Sequence, residues 1–309
     1  MHWRNGSPTT HVPINRVRWL LLTAMLALTI GTGIASQRSE SYARPELLAE
    51  AEWLAQHRDD ATLRLVDLRS AEAYQKSHIP GAVHLDWKAL KDPDNEVYVV
   101  PADKFSKLMT ERGIGNETTV VGYDDQGGLY AARLWWVLDY YGHTQAKVLN
   151  GGWNKWVKEQ RPMSFEASSP QPAPFVVKAD PSKICLVGEL LADLEQPNAV
   201  IVDARSPGEY SGFDVQAKRG GHIPGAVNID WVRNVTNDDV KTFRPAADLL
   251  RMYEAAGVTK DKEIITHCQT GVRGAHAMFT LRLLGYNQVR NYDASWQEWG
   301  NRPDLPIAR

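Results

Sequence analysis

The chain has 309 residues, of which 43% are hydrophobic and 23% are charged, and its formal net charge at pH 7 is −2. This length allows two domains that each bury a core, and this composition excludes a largely disordered chain. The balanced charge gives no basis for nucleic-acid binding, and the two cysteines, Cys185 and Cys268, neither build a disulfide framework nor belong to a zinc-ligand pattern.

Residues 1–38 have the pattern of a targeting segment rather than of a folded element. Arg16 and Arg18 precede an apolar run, and small residues follow it. This order is typical of a secretory signal cleaved after residues 33–35, and it predicts export, to the periplasm in a bacterium. The run is shorter than the roughly 20 residues of a membrane span, but an uncleaved membrane anchor remains open. The segment contains no acidic residue, so an organellar transit peptide is a third interpretation.

The rest of the chain contains one domain twice. The run Leu-Val-Asp-Leu-Arg-Ser at 65–70 returns as Ile-Val-Asp-Ala-Arg-Ser at 201–206, and His-Ile-Pro-Gly-Ala-Val at 78–83 returns unchanged at 222–227. Trp87 and Trp231, which follow the second block, are 144 positions apart. Matches in the same order predict a duplication, with a first domain at 45–160 and a second at 182–305. Residues 161–181 contain five prolines and predict an extended, stiff linker.

Short apolar runs alternate with helical patterns in each copy. In the second copy, we expect strands at 200–202, 227–229, 263–267 and 288–291, and helices at 248–257 and 274–284. Buried apolar strands separated by helices predict an α/β fold in which each domain has a mostly parallel sheet flanked by helices. Ligands in such sheets bind at the carboxyl ends of the strands.

Cys268 follows the predicted strand at 263–267 and begins a short Gly-containing loop that leads into a helix. Such a loop turns its N–H groups toward one point, where an anion is favoured. We expect a depressed pKa for this thiol, and Arg273 adds a fixed positive charge. The pattern predicts nucleophilic sulfur chemistry on an anionic substrate, although a buried structural thiol is the alternative. Strand alternation points the His267 side chain away from that of Cys268.

The first copy lacks these groups at the matching place. An offset of 144 places Asp124 opposite Cys268, Gly127 opposite Gly271 and Leu129 opposite Arg273. We expect Asp124 and Asp125 to repel an anion, and the first copy to be structural. An Asp-based nucleophile or metal site is the alternative.

The repeated His-Ile-Pro-Gly-Ala block and the Cys-Gln-Thr-Gly-Val-Arg loop resemble the tandem-domain rhodaneses, the thiosulfate and 3-mercaptopyruvate sulfurtransferases. This resemblance covers roughly residues 45–300. It implies a degenerate first domain, a catalytic second domain, an active site between them, a cysteine persulfide intermediate and no cofactor. A small anionic sulfur donor and a thiophilic acceptor are the implied partners, and we expect a monomer.

The resemblance implies that Cys268 is the catalytic residue and that Arg205 binds the anionic end of the substrate. For Arg205, an ion pair with Asp203 or Glu209 is the alternative. Arg219 would supply charge at the mouth of the cleft, unless it is a solvated surface residue. The other predicted substrate-binding residues are those of the loop: Gln269, Thr270, Gly271, Val272 and Arg273.

The loop sequence favours thiosulfate as the sulfur donor. The mercaptopyruvate enzymes usually have the loop sequence Cys-Gly-Ser/Thr-Gly-Val-Thr, whereas this chain has Gln269 in place of the first Gly and Arg273 in place of the final Thr. The added positive charge of Arg273 suits a dianion. A 3-mercaptopyruvate sulfurtransferase and a persulfide carrier or redox-sensing protein remain open. Four residues separate Cys268 from Arg273. Cysteine phosphatases have five, so a phosphatase or an arsenate reductase is disfavoured.

Overall fold

A computed structural model describes Gly6 and residues 41–309. Most of the predicted targeting segment, including its arginines and apolar run, lies outside the described residues. Among the residues that the structure describes, no helix is both long and apolar enough to cross a membrane.

The first domain is a five-stranded sheet in which all pairings are parallel, in the order β1-β5-β4-β2-β3. Its strands are β1 (Leu48–Ala49), β2 (Leu63–Asp67), β3 (Val83–His84), β4 (Thr119–Tyr123) and β5 (Ala146–Leu149). Its helices are α1 (Ala51–His57), α2 (Ala71–Lys76), α3 (Ala102–Glu111), α4 (Leu129–Tyr140) and α5 (Gly152–Lys158).

The second domain repeats this plan with four parallel strands in the order β7-β6-β8-β9. Its strands are β6 (Ala199–Asp203), β7 (Val227–Asn228), β8 (Glu263–His267) and β9 (Val289–Asn291). Its helices are α6 (Val187–Asp193), α7 (Pro207–Ser211), α8 (Ala246–Ala255), α9 (Val272–Leu283) and α10 (Ser295–Trp299). The predicted α/β class with parallel sheets is confirmed.

Two helices begin earlier than the sequence pattern indicates. Helix α8 starts directly after Pro245, which has the extended backbone of an N-cap residue. Helix α9 starts at Val272 because Gly271 adopts a left-handed conformation with φ of 78° and turns the chain into the helix. Apolar periodicity alone does not predict the first residue of these two helices, because the backbone turn before each helix determines it.

Residues 161–180 run along the first domain without forming a helix. Phe175 is buried there, and its N–H donates to the Thr110 hydroxyl at 3.2 Å. The Ala173 N–H donates to the Thr110 carbonyl at 3.2 Å. This segment is therefore held against the first domain rather than exposed as a free tether.

The two domains meet through helices α4 and α9, which pack against each other. Trp135 of α4 meets Phe279 of α9 edge to face, with ring centroids 5.1 Å apart. Beside this apolar contact, Arg133 of α4 forms an ion pair with Asp293 of the second domain, and both side chains are almost fully buried. Removing one partner of such a buried pair leaves an uncompensated charge.

Replacing Arg133 with alanine is expected to lower the free energy of unfolding by about 3–5 kcal/mol, because Asp293 would stay buried without its cation. Urea unfolding of the full chain measures this change. The control is Arg251→Ala, since Arg251 is 74% exposed and pairs with Asp248 at the surface. Exposed pairs contribute at most about 1 kcal/mol, so equal losses in the two variants would contradict the interpretation.

Candidate active site

Cys268 lies at the carboxyl end of β8, at the start of the loop that leads to α9. Its side chain is 1% exposed and packs with Ala204, Ala277 and Trp231. The loop passes so close to Asp293 that a Cβ atom at Gly271 would lie 2.2 Å from the Asp293 Oδ1 atom. Glycine is therefore required at position 271 both for its positive φ and for this close approach.

The carbonyl groups of the loop are held outward by donors on neighbouring segments. The Trp296 N–H donates to the Cys268 carbonyl at 3.0 Å, and the Gln297 N–H donates to the Gln269 carbonyl at 2.9 Å. The Lys91 Nζ atom of the first domain donates to the Thr270 carbonyl at 2.6 Å. The C=O and the N–H of a trans peptide group point in opposite directions. The N–H groups that follow these carbonyls therefore turn toward the inside of the loop.

The N–H groups of residues 269–274 have no hydrogen-bond acceptor within the described part of the chain. Buried N–H groups without an acceptor are costly, and a set of them at a helix N-terminus forms an anion-binding site. The second domain therefore presents a ring of free donors next to the Cys268 thiol.

The same ring is filled in the first domain by the chain itself. The Asp124 carboxylate accepts from the N–H groups of Gln126 and Gly128 at 2.8 and 2.9 Å, and from those of Tyr130 and Ala131 at 2.7 and 2.9 Å. Burial raises the pKa of Asp124, and these four bonds oppose that rise. Asp124 thus does more than repel an anion, because it occupies the anion position.

The loop of the first domain is one residue longer, which corrects the offset of 144. Gly128 and Gly271 both precede their helices with positive φ, and they accept from the N–H groups of Ala132 and Ala275, respectively. The offset is therefore 143 beyond the loop. Arg273 corresponds to Tyr130 rather than to Leu129, and Gly271 corresponds to Gly128 rather than to Gly127.

Arg273 is oriented by a two-pronged ion pair. Its guanidinium donates to both oxygens of Glu209, at 2.7 and 2.8 Å. Burial lowers the pKa of Arg273, but its hydrogen bonds to Glu209 and the nearby Cys268 outweigh that effect and raise it. Burial raises the pKa of Glu209, but Arg273 and Ser206 bring it down to about 2. A permanent ion pair with Glu209 therefore holds the Arg273 guanidinium near Cys268 in one orientation.

His267 faces away from the thiol, as strand alternation predicts. The ring is fully buried, with Nδ1 3.3 Å from the Cys268 carbonyl and Nε2 3.5 Å from Asp203 Oδ2. Burial lowers the pKa of His267 to about 4, so the ring is neutral near pH 7. These contacts assign it to packing rather than to proton transfer.

The structure places Arg205 in a buried ion pair, while its substrate-binding role stays a prediction. It is 1% exposed, its Nε and Nη2 atoms donate to the Asp203 carboxylate at 2.9 and 2.5 Å, and Nη2 also donates to the Gly221 carbonyl at 2.8 Å. Its guanidinium also stacks on Trp296, 4.3 Å from the ring centroid. This is the ion pair with Asp203 that the sequence left open.

Arg219 also has structural partners in this fold, while its substrate-binding role stays a prediction. Its guanidinium donates to backbone carbonyls of the C-terminal segment, including those of Trp299 and Leu305, each at 2.8 Å. Arg219 is partly buried, and these bonds hold the C-terminal segment in place.

The remaining loop residues stay at the site, and further residues join them. The Gln269 side chain donates to the Gln216 carbonyl at 2.9 Å, while Val272 is the first helical residue. Ser295 accepts from the Cys268 N–H at 3.1 Å, and Lys91 reaches the loop from the other domain. Comparison of the two copies could not single out Lys91, because its contact crosses between domains.

The rhodanese-like domain model matches this chain twice, at residues 50–159 and 186–302. A sulfur carrier protein, TtuD, from Thermus thermophilus is 38% identical over 87% of this chain and 98% of its own length. A thiosulfate sulfurtransferase from Azotobacter vinelandii is 40% identical over 79% of this chain and 90% of its own.

Solved structures show the same architecture. SseA from Escherichia coli, described as a 3-mercaptopyruvate sulfotransferase, superposes with a TM-score of 0.73 at 29% identity and covers 81% of this chain and 98% of its own. An anaerobic ergothioneine biosynthesis enzyme from Chlorobium limicola has a TM-score of 0.79 at 26% identity and covers 86% of this chain and 71% of its own. The duplicated domain, the loop geometry and these relatives together show that this chain belongs to the rhodanese family and support sulfurtransferase activity.

Proposed function

We propose that this protein is a thiosulfate sulfurtransferase that carries sulfur as a persulfide on Cys268. The observation that carries the proposal is the ring of free N–H groups around the thiol, which the first domain fills with Asp124. A position that holds a carboxylate in one copy is suited to hold an anionic sulfur species in the other.

In the first half-reaction, the Cys268 thiolate attacks the outer sulfur of thiosulfate. A new S–S bond forms, the S–S bond of thiosulfate breaks, and sulfite leaves with the electron pair. In the second half-reaction, cyanide or a thiol attacks the outer persulfide sulfur and restores the thiolate. The loop N–H groups stabilise the thiolate and the persulfide anion in turn, and no external oxidant or reductant is needed.

The charge of Arg273 favours thiosulfate over mercaptopyruvate. Thiosulfate is a dianion, and Arg273 is held beside Cys268 in one orientation by both oxygens of Glu209. Because one relative is named a sulfur carrier protein, a carrier that transfers one sulfur without turnover is the competing function. A steady-state assay distinguishes the two.

The chain is expected to produce thiocyanate from thiosulfate and cyanide with ping-pong kinetics, and Cys268→Ala should abolish turnover. The matched control is Cys185→Ala, because Cys185 is buried and burial raises its pKa to about 12, which keeps it protonated. Cys185→Ala should retain activity. A single stoichiometric transfer without turnover would favour the carrier, and turnover that survives Cys268→Ala would overturn the proposal.

Replacing Arg273 with glutamine should lower kcat/KM for thiosulfate by about 10²-fold, because one preorganised cationic donor at the reacting centre is lost. The loss with mercaptopyruvate should be smaller, since that donor carries a single negative charge. The ratio of the two kcat/KM values is the measurement. An unchanged ratio would show that Arg273 does not select the dianion.

We also propose that residues 1–38 direct export of the protein. The order of basic, apolar and small residues supports a cleaved signal over an anchor or a transit peptide. Expression of the full chain in a bacterium, followed by fractionation and N-terminal sequencing, should find a periplasmic protein that begins after Ala35. A membrane-bound chain that retains Arg16 would favour the anchor.

A further inference from the structure

Lys91 connects the first domain to the active-site loop of the second. It follows the turn at Trp87–Leu90, and its Nζ atom donates to the Thr270 carbonyl at 2.6 Å, across 179 positions of sequence. The residue is only 7% exposed. A long, flexible side chain is buried here in one defined contact, which costs conformational entropy.

This contact fixes the peptide group between Thr270 and Gly271. Because Lys91 draws the Thr270 carbonyl outward, the Gly271 N–H must point the opposite way, into the ring of donors beside Cys268. The neighbouring carbonyls of the loop are held by donors of the second domain itself: Trp296, Gln297 and Asn291. Among the described residues, Lys91 is the charged donor of this set and the one that the first domain supplies.

The ammonium group of Lys91 has no carboxylate within 4.0 Å among the described residues. The charged and titratable groups that act on it are Asp293, Arg133, Cys268 and Glu96, and Asp293 is already paired with Arg133. Burial lowers the pKa of Lys91 to about 8, and the nearby acidic groups only partly oppose this effect. A buried cation without a carboxylate in direct contact is costly, which is typical of a functional position.

We propose that Lys91 is a positioning residue of the active site, by which the inactive first domain orients the Thr270–Gly271 peptide and places a positive charge toward the anion bound at Cys268. This role of Lys91 rests on the proposed sulfurtransferase function. The anion is the thiosulfate donor before sulfur transfer and the persulfide afterwards. The first domain therefore contributes to the chemistry although its own loop is closed by Asp124.

Two substitutions separate the charge from the packing of the side chain. Lys91→Met keeps the length and apolar stem of the side chain but removes its charge and its hydrogen-bond donor. Lys91→Arg keeps the charge and the donor. We expect Lys91→Met to lower kcat/KM for thiosulfate by about 10- to 100-fold, as for the loss of one preorganised donor, and Lys91→Arg to restore most of it. The control is Lys88→Met, because Lys88 is an exposed lysine three positions earlier.

The pH profile gives a readout that a purely structural role would not change. In the wild type, kcat/KM should fall as pH rises through about 8, because Lys91 loses its proton there. In Lys91→Arg this alkaline decline should move to higher pH, since guanidinium stays protonated. An alkaline decline that is the same in both proteins would contradict the role of the Lys91 charge.

Alkylation of Cys268 tests Lys91 without any sulfurtransferase assay. Iodoacetate is an anion and iodoacetamide is neutral, and the two are nearly equal in size. The rate ratio of iodoacetate to iodoacetamide should fall several-fold in Lys91→Met and stay unchanged in Lys88→Met. An unchanged ratio in Lys91→Met would overturn the inference even if the chain is a sulfurtransferase. If the rate ratio changes in Lys91→Met but the wild type shows no turnover, the proposed function would be contradicted and the role of Lys91 would stand.

Discussion

The orientation of one loop, residues 268–274, is the constraint on which the site depends. Its N–H groups can face an anion only if its carbonyls are held outward, and each carbonyl from Cys268 to Gly271 has a donor. These donors come from two segments of the second domain and from Lys91 of the first. Free N–H groups in a buried site cost stability, and the surrounding hydrogen bonds offset that cost. The loop is thus preorganised before any substrate arrives.

Duplication has given the two domains different tasks without changing their fold. In the first domain, Asp124 closes the ring of N–H groups with its own carboxylate. In the second, a cysteine at the start of a loop shorter by one residue leaves the ring open. The ion pair of Arg133 with Asp293 joins the domains directly behind this loop, and Arg133 also donates to the Leu90 carbonyl next to Lys91. The first domain, whose ring of N–H groups is filled by Asp124, therefore helps to hold the active-site loop of the second domain.

The sequence was sufficient for features that depend on local pattern. The α/β fold, the strand before Cys268 and the direction of His267 follow from periodicity and from the repeat. The ion pair of Arg205 with Asp203 was one of the alternatives from the sequence, because the two residues lie two positions apart and a bidentate pair satisfies the guanidinium. Lys91 was missed because its partner is distant in sequence. The one-residue change of offset was overlooked although the sequence contains it, since Trp87 and Trp231 are 144 positions apart whereas Trp153 and Trp296 are 143 apart.

Acceptance of a sulfur atom by Cys268 from an anionic donor is the step on which the proposed function depends. Its most direct test is the mass of the intact chain after incubation with thiosulfate alone, followed by peptide mapping under conditions that preserve persulfides. We expect a gain of one sulfur atom on the peptide that contains Cys268, removed by cyanide and absent in Cys268→Ala. A folded, reduced chain that gains no sulfur, or gains it on Cys185, would show that Cys268 is not the sulfur acceptor.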